Sequence, residues 1–195
     1  MFLRKHMVKR FLFFSAMILI SLALGTEVYA EFSLKSTWQR IETKHTIIQY
    51  ETVEDLKDFD SNIDYSPDGF SFSNLFSAGD SDDPAGSLAG KLDSLYERVQ
   101  RILDMRGMLK KVRINIYSNR KKLHEVYHSI TGQECRVKAW YIFEVNTVYI
   151  TNDYVDEGII AHEMAHSIID HFFSVRPPEA TAEILATYVD RHLED

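Results

Sequence analysis

The chain has 195 residues, with 22 Lys and Arg against 29 Asp and Glu, a net charge of −7 and a single cysteine. The acidic balance argues against nucleic acid or an anionic membrane surface as a partner. Cys135 has no second cysteine with which to form an internal disulfide, and is expected to be buried as a small apolar side chain.

The first thirty residues read as an address rather than as part of the fold. Arg4, Lys5, Lys9 and Arg10 make a basic start, Phe11 to Leu24 is an apolar run, and Val28-Tyr29-Ala30 offers small residues to a signal peptidase. Cleavage after Ala30 is expected, which delivers the protein to the periplasm or the outside of the cell. The apolar run has 14 residues, fewer than the roughly 20 that span a bilayer, so an uncleaved anchor is the lesser alternative. No other membrane contact is expected. The mature chain, 31–195, holds 18 basic and 28 acidic side chains, and its 165 residues suit one domain with a sizeable core.

His45-Thr-Ile-Ile-Gln-Tyr50 is β-branched and aromatic and reads as a strand. Ser66-Pro67-Asp68-Gly69 is turn chemistry and Ala78 to Gly86 is acidic and small, so a long flexible surface loop is expected over 58–86. Within it, Asp80 to Pro84 lacks the spacing of calcium ligands and reads as solvated. Leu88, Leu92, Leu95, Val99, Ile102 and Leu103 recur at helical spacing and predict an amphipathic helix over 87–105. Val112 to Tyr117 reads as a strand and Arg120 to Ile130 as a helix ended by Thr131-Gly132. Lys138 to Phe143 and Thr147 to Ile150 read as a hairpin turning at Asn146, with Trp140 and Tyr141 packing within it. Asn152 or Asp153 is expected to cap the next helix, which runs to about Phe173, and Pro177-Pro178 opens a last helix over 178–192. This order predicts an α+β domain, a small mixed sheet with helices packed on it.

In the penultimate helix, Ile159-Ile-Ala-His162-Glu163-Met-Ala-His166-Ser-Ile-Ile169 sets two histidines and a glutamate among apolar residues. Residues four apart in a helix point the same way, so His162 and His166 present adjacent imidazoles that can each reach zinc at about 2.0–2.1 Å. Glu163 is one residue round, beside such a metal rather than on it. There it can take a proton from water and return it to a leaving amine. Burying these polar tips unpaired is unfavourable, and a metal partners both imidazoles.

A catalytic zinc takes three protein ligands and leaves one position open. Downstream candidates are Asp170, His171, Glu179, Glu183, Asp190 and His192. Asp170 and His171 lie on the same helix and would have to reach back along its axis. Glu179 and Glu183 lie one turn apart on the following helix. Glu179 directly follows Pro177-Pro178, which suits it to capping that helix's positive end. Glu183 sits deeper, among Ala182, Ile184, Leu185 and Ala186, and is favoured, with Glu179 second.

His162-Glu163-Met-Ala-His166, followed after 16 residues by Glu183-Ile-Leu-Ala-Thr-Tyr-Val189, resembles the gluzincin metallopeptidases. In these an HExxH helix precedes a helix carrying Glu-x-x-Ala-x-Tyr, and the likeness is closest to the minimal gluzincins and peptidase MA-like domains. The resemblance implies a zincin-like fold, one catalytic Zn2+ held by His162, His166 and Glu183, and Glu163 as general base and acid. It also implies that a strand at Lys138 to Phe143 or Thr147 to Ile150 is an edge that pairs with an extended peptide. The sequence departs from the pattern at Ile184, where the family has Gly. It departs again at Thr187, where thermolysin-like members place an Asp that orients a zinc histidine. It ends at Asp195, so the C-terminal subdomain that forms the far wall of the cleft in such peptidases is expected to be almost absent. Tyr154, His171 and Tyr188 are nominees for the oxyanion-stabilising group of such sites, although each also reads as a packing or surface residue. The expected function is that of an exported zinc-dependent peptidase, an endopeptidase acting on peptide or protein. A non-catalytic, zinc-stabilised binding module and a metal-free protein using its acidic surface are the alternatives.

Overall fold

The computed structural model describes residues 38–65, 83–153 and 155–193. The expected signal segment, residues 66–82 of the expected loop and Tyr154 lie outside the described residues. Five strands, β1 (Gln39–Glu42), β2 (Thr46–Tyr50), β3 (Val112–Tyr117), β4 (Ala139–Ile142) and β5 (Thr147–Thr151), form one sheet in the order β1-β2-β3-β5-β4. The central strands β2, β3 and β5 run parallel, while the edges β1 and β4 pair antiparallel to β2 and β5. The helices are α1 (Val53–Ser61), α2 (Pro84–Ile102), α3 (Arg120–Thr131), α4 (Glu157–Phe172) and α5 (Glu179–His192), and a 3-10 turn spans Phe143–Val145. The expected mixed sheet with packed helices is therefore present. Among the described residues no helix is long and apolar enough to cross a membrane.

The two-residue period of the strands sends β-branched side chains to one face of the sheet. Register then aligns Ile41, Ile48, Ile114, Val148 and Tyr141 in a row across all five strands. Against that face α2 sets Leu88, Leu92, Leu95 and Val99, and α4 sets Ile160, Met164 and Ile168, all fully buried in one cluster. The opposite face carries a chain of ring contacts, Trp38 to Tyr117, Tyr149, Trp140 and Tyr127, with centroids 4.9–6.4 Å apart. Trp140 thus packs on the hairpin, as expected. Cys135 is buried and unpaired.

Several boundaries differ from expectation for local reasons. The loop expected over 58–86 is shorter at both ends, because 58–61 belong to α1 and 84–86 open α2. α1 is nucleated by a capping box in which the Asp55 amide donates to Thr52 Oγ1 at 3.1 Å and the Thr52 amide donates to Asp55 Oδ2 at 3.2 Å. At α2, Asp83 accepts from the Ala85 amide at 3.0 Å and Pro84 supplies a preset first turn, while the helix ends at Ile102 rather than Met105. α4 is capped by Asp156, which accepts from the Ile159 amide at 2.8 Å. Asn152 and Asp153 do not cap it because the helix begins only at Glu157. Asn152 Nδ2 donates to the Asp55 carbonyl at 3.1 Å, and Asp153 accepts the first amide of α3, that of Arg120, at 2.8 Å. α3 ends as expected, with Gly132 in the left-handed region at φ 70°.

Candidate metal centre

The candidate site lies where α4 meets α5. Ile160, Ala161, Met164, Ala165, Ile168 and Ile169 commit most of the α4 circumference to the core, leaving His162 and His166 only partly covered on the flank facing α5. α5 buries Ala182, Ala186 and Val189, and the two alanines keep side-chain bulk low at the seam. Arg98 of α2 secures the far end of α5 by donating to the His192 and Leu193 carbonyls at 3.1 and 3.3 Å. Glu183, next to Ala182, is thereby held at the seam with its side chain about half exposed.

The structure brings His162, His166 and Glu183 together. His162 Nε2 lies 3.2 Å from His166 Nε2, and the Glu183 carboxylate oxygens lie 3.6 and 3.4 Å from these two nitrogens. Tetrahedral zinc with bonds of about 2.0–2.1 Å separates its ligand atoms by roughly 3.3 Å. The separation of the two imidazole nitrogens is close to such an edge, each of them faces a different oxygen of Glu183, and two imidazoles with one carboxylate form a donor set that suits zinc. His162 Nδ1, on the opposite side of its ring, sits 3.1 and 3.2 Å from the two oxygens of Asp190. A carboxylate only accepts, so the tautomer that satisfies the Asp190 contact has its proton on Nδ1, and in that tautomer the Nε2 lone pair faces His166 and Glu183.

Electrostatics favour the same arrangement. Burial lowers the pKa of His166, further helped by His162 and opposed by Glu183, and so keeps the imidazole in the neutral form that ligates a metal. Burial also pushes the Glu163 carboxyl up to about 7, with Glu183 and Asp190 adding to the rise and His162 opposing it. Glu163 is only 9% exposed, close to the cluster but outside the donor set.

The remaining sequence candidates stand elsewhere. Glu179 is in the exposed first turn of α5, outside the cluster. The buried carboxylate of Asp170 accepts from Arg176 Nε at 3.0 Å, and that guanidinium lies 4.5 Å over the Phe143 ring, which ties the α4–α5 connection to the 3-10 turn. His171 Nδ1 bonds to the Ser167 carbonyl at 3.0 Å, and Tyr188 and His192 stack on each other at 3.9 Å. Ile184 is 70% exposed, so its bulk projects into solvent rather than against α4.

Sequence reasoning missed one supporting network, centred on Asn146. This residue is buried in the left-handed conformation, at φ 47°, and its Oδ1 accepts from Tyr141 Oη at 3.0 Å and Ser167 Oγ at 2.7 Å. Its Nδ2 donates to the Lys111 carbonyl at 3.0 Å. Asn146 therefore joins β4, the hairpin turn and the entry to β3 to the residue that follows His166, and the Tyr141 ring lies parallel to the His166 ring at 6.4 Å. The turn at Asn146 was legible from sequence, but contacts across 21 positions were not. Compared with protein-family models, with curated proteins and with solved structures, the chain shows no match.

Proposed function

We propose that the protein is an exported, zinc-dependent peptidase of gluzincin type with a zincin-like fold, in which His162, His166 and Glu183 hold Zn2+ and Glu163 moves the proton. The observation that carries this reading is the convergence of three donor groups from two helices, 3.2–3.6 Å apart, beside a buried carboxyl whose pKa is about 7. Zinc bound there supplies Lewis acidity, which polarises a carbonyl and makes water a usable nucleophile near neutral pH. Glu163 accepts a proton from the attacking water and returns it to the amide nitrogen as the C–N bond breaks. A carboxyl near neutrality is matched to both transfers. The same feature favours catalysis over a purely structural clamp, which has no use for a buried base.

The sheet supports the substrate side of this reading. β4 is an edge strand among the described residues and packs beside α4. An extended peptide added to that edge gains main-chain hydrogen bonds and runs past the histidines, the usual geometry of β-augmentation. The test is metal analysis of the purified protein and of His162→Ala, with cleavage of an unfolded protein followed before chelation, after chelation and after zinc is restored. The expected result is about one zinc per wild-type chain, loss of zinc in His162→Ala, and cleavage that follows zinc. Zinc without cleavage of a broad substrate set favours the binding module, and absence of zinc defeats both readings.

A further inference from the structure

We infer that Arg176 selects peptides carrying an acidic side chain about two residues from the scissile bond, by donating hydrogen bonds to its carboxylate. This assignment names a substrate class for the peptidase reading above and rests on that reading. Two ring contacts fix how the edge strand runs past the site. The Tyr141 ring of β4 lies 6.4 Å from that of His166, and Phe143, two residues on, lies 5.6 Å from the ring of His171. β4 and the turn after it therefore follow α4 in the same direction, from the histidine cluster toward the C-terminal end of the helix. A peptide paired with β4 sets one residue beside the histidines and another, about two residues away, near Phe143, because an extended chain advances by roughly 3.3 Å per residue. Arg176 stands at that second place, its guanidinium 4.5 Å over the Phe143 ring.

The guanidinium is held in place by the fold. Its Nε donates to Asp170 Oδ2 at 3.0 Å, and the Asp170 side chain is only 1% exposed, so the anchor is rigid. The Phe143 ring supports the group from the strand side. Among the described residues no other hydrogen bond engages the guanidinium, and the Arg176 side chain is 47% exposed, so its two Nη groups stay open to a ligand. Donors of this kind match a carboxylate in a fork, and a side chain already anchored loses little further freedom on binding. Asp170 offsets the charge of Arg176, so recognition depends on the directed donors more than on long-range attraction, and a lysine, which has no fork, is a poor replacement. A purely structural brace between α4 and the turn needs only the Nε contact and the ring face. It leaves unexplained the open Nη groups beside the substrate edge.

The test uses the zinc-loaded full chain and a series of peptides in which Glu, or Gln of the same shape, is placed in turn at each position flanking one scissile bond, with the C-terminus amidated or free. The readout is the ratio of kcat/KM for the Glu peptide to that for its Gln counterpart. In wild type the ratio should reach about 10 at one position some two residues from the bond, the lower end of what a hydrogen bond to a charged group contributes. Arg176→Gln keeps an N–H for Asp170 but no charge, and its ratio should fall close to unity. Arg176→Lys should give an intermediate ratio, and it decides the matter if Arg176→Gln does not fold. Equal cleavage of Glu and Gln peptides by wild type, a preference unchanged in the folded variants, or a gain that appears only with a free C-terminal carboxylate overturns this role of Arg176 alone. Zinc-loaded wild type that cleaves none of the peptides overturns the peptidase reading and the role of Arg176 with it.

Discussion

Replacing Glu163 with Gln should change how stability depends on pH, and the size of the effect follows from where the carboxyl sits. Burial holds it at about 7 in the folded protein against an ordinary value of 4.5. Below about pH 4.5 both folded and unfolded states bind the proton, and the group is neutral in each. Between about 4.5 and 7 the folded state keeps the proton while the unfolded state releases it, so stability falls as pH rises through this window and levels off above it. At 1.36 kcal/mol per pKa unit, the full difference is about 3 kcal/mol. The amide introduced by Glu163→Gln has no charge to desolvate, so the variant should match wild type near the acid end and exceed it by about 3 kcal/mol above neutrality. The measurement is urea denaturation followed by the fluorescence of Trp38 and Trp140, repeated across this pH range with a chelator present so that protein groups alone act on the carboxyl. Other titrations are common to both proteins and cancel in the difference. Parallel stability curves for the two proteins would refute the claim that Glu163 is held neutral by burial.

Asn146→Ala leaves the Tyr141 hydroxyl, the Ser167 hydroxyl and the Lys111 carbonyl without their partner and puts a β-carbon-bearing residue without a polar side chain at φ 47°. A loss of about 3–4 kcal/mol is expected in denaturant titration, and Asn146→Gly should recover about 1 kcal/mol of it through the backbone alone. Added zinc should stabilise the folded state by about 2.7 kcal/mol at a free concentration near 100 times the Kd. Thermal denaturation should show this gain in wild type and not in His166→Ala, because that variant lacks one of the three converging donors.

The parts of the fold that were legible in the sequence were those in which one short segment carries its own signal. The leucine spacing of α2 and the β-branched runs of β2, β3 and β5 are of this kind, since each side chain there reports the face it will bury. β1 escaped notice because Gln39-Arg-Ile-Glu42 exposes three of its four residues and acquires strand geometry only by pairing with β2. α1 carries a signal in Thr52 and Asp55, but the turn-rich stretch beyond it extends the expected loop back to Asp58, over the last turn of the helix. The cap of α4 was misread because Asn152 and Asp153 have suitable side chains whose real partners, the Asp55 carbonyl and the Arg120 amide, are remote in sequence.

The same distinction applies to the site. His162, Glu163 and His166 share one helix turn, so their juxtaposition follows from periodicity, whereas the depth expected for Glu183 is absent: its side chain is 54% exposed and Ile184 70%, and it joins the histidines through its place at the α4–α5 seam. Asp190 was visible only as one more acidic residue downstream. Its i+7 relation to Glu183 puts the two on one face, but the contact with His162 depends on how α5 packs on α4. The Asn146 network depends likewise on tertiary approach, because Ser167 and Tyr141 belong to elements that neither propensity nor spacing brings together.

The most direct test of the proposed chemistry is a comparison of peptide cleavage by zinc-loaded wild type and zinc-loaded Glu163→Gln, with metal content measured on the same samples. The wild type should carry about one zinc per chain and cleave an unfolded protein. The variant should retain its zinc, because Glu163 is not among the donors, and cleave at least about 100- to 10,000-fold more slowly. Equal cleavage by the two proteins at equal zinc content would contradict the role given to Glu163, and a zinc-loaded wild type inert toward every unfolded substrate offered would contradict the assignment as a peptidase.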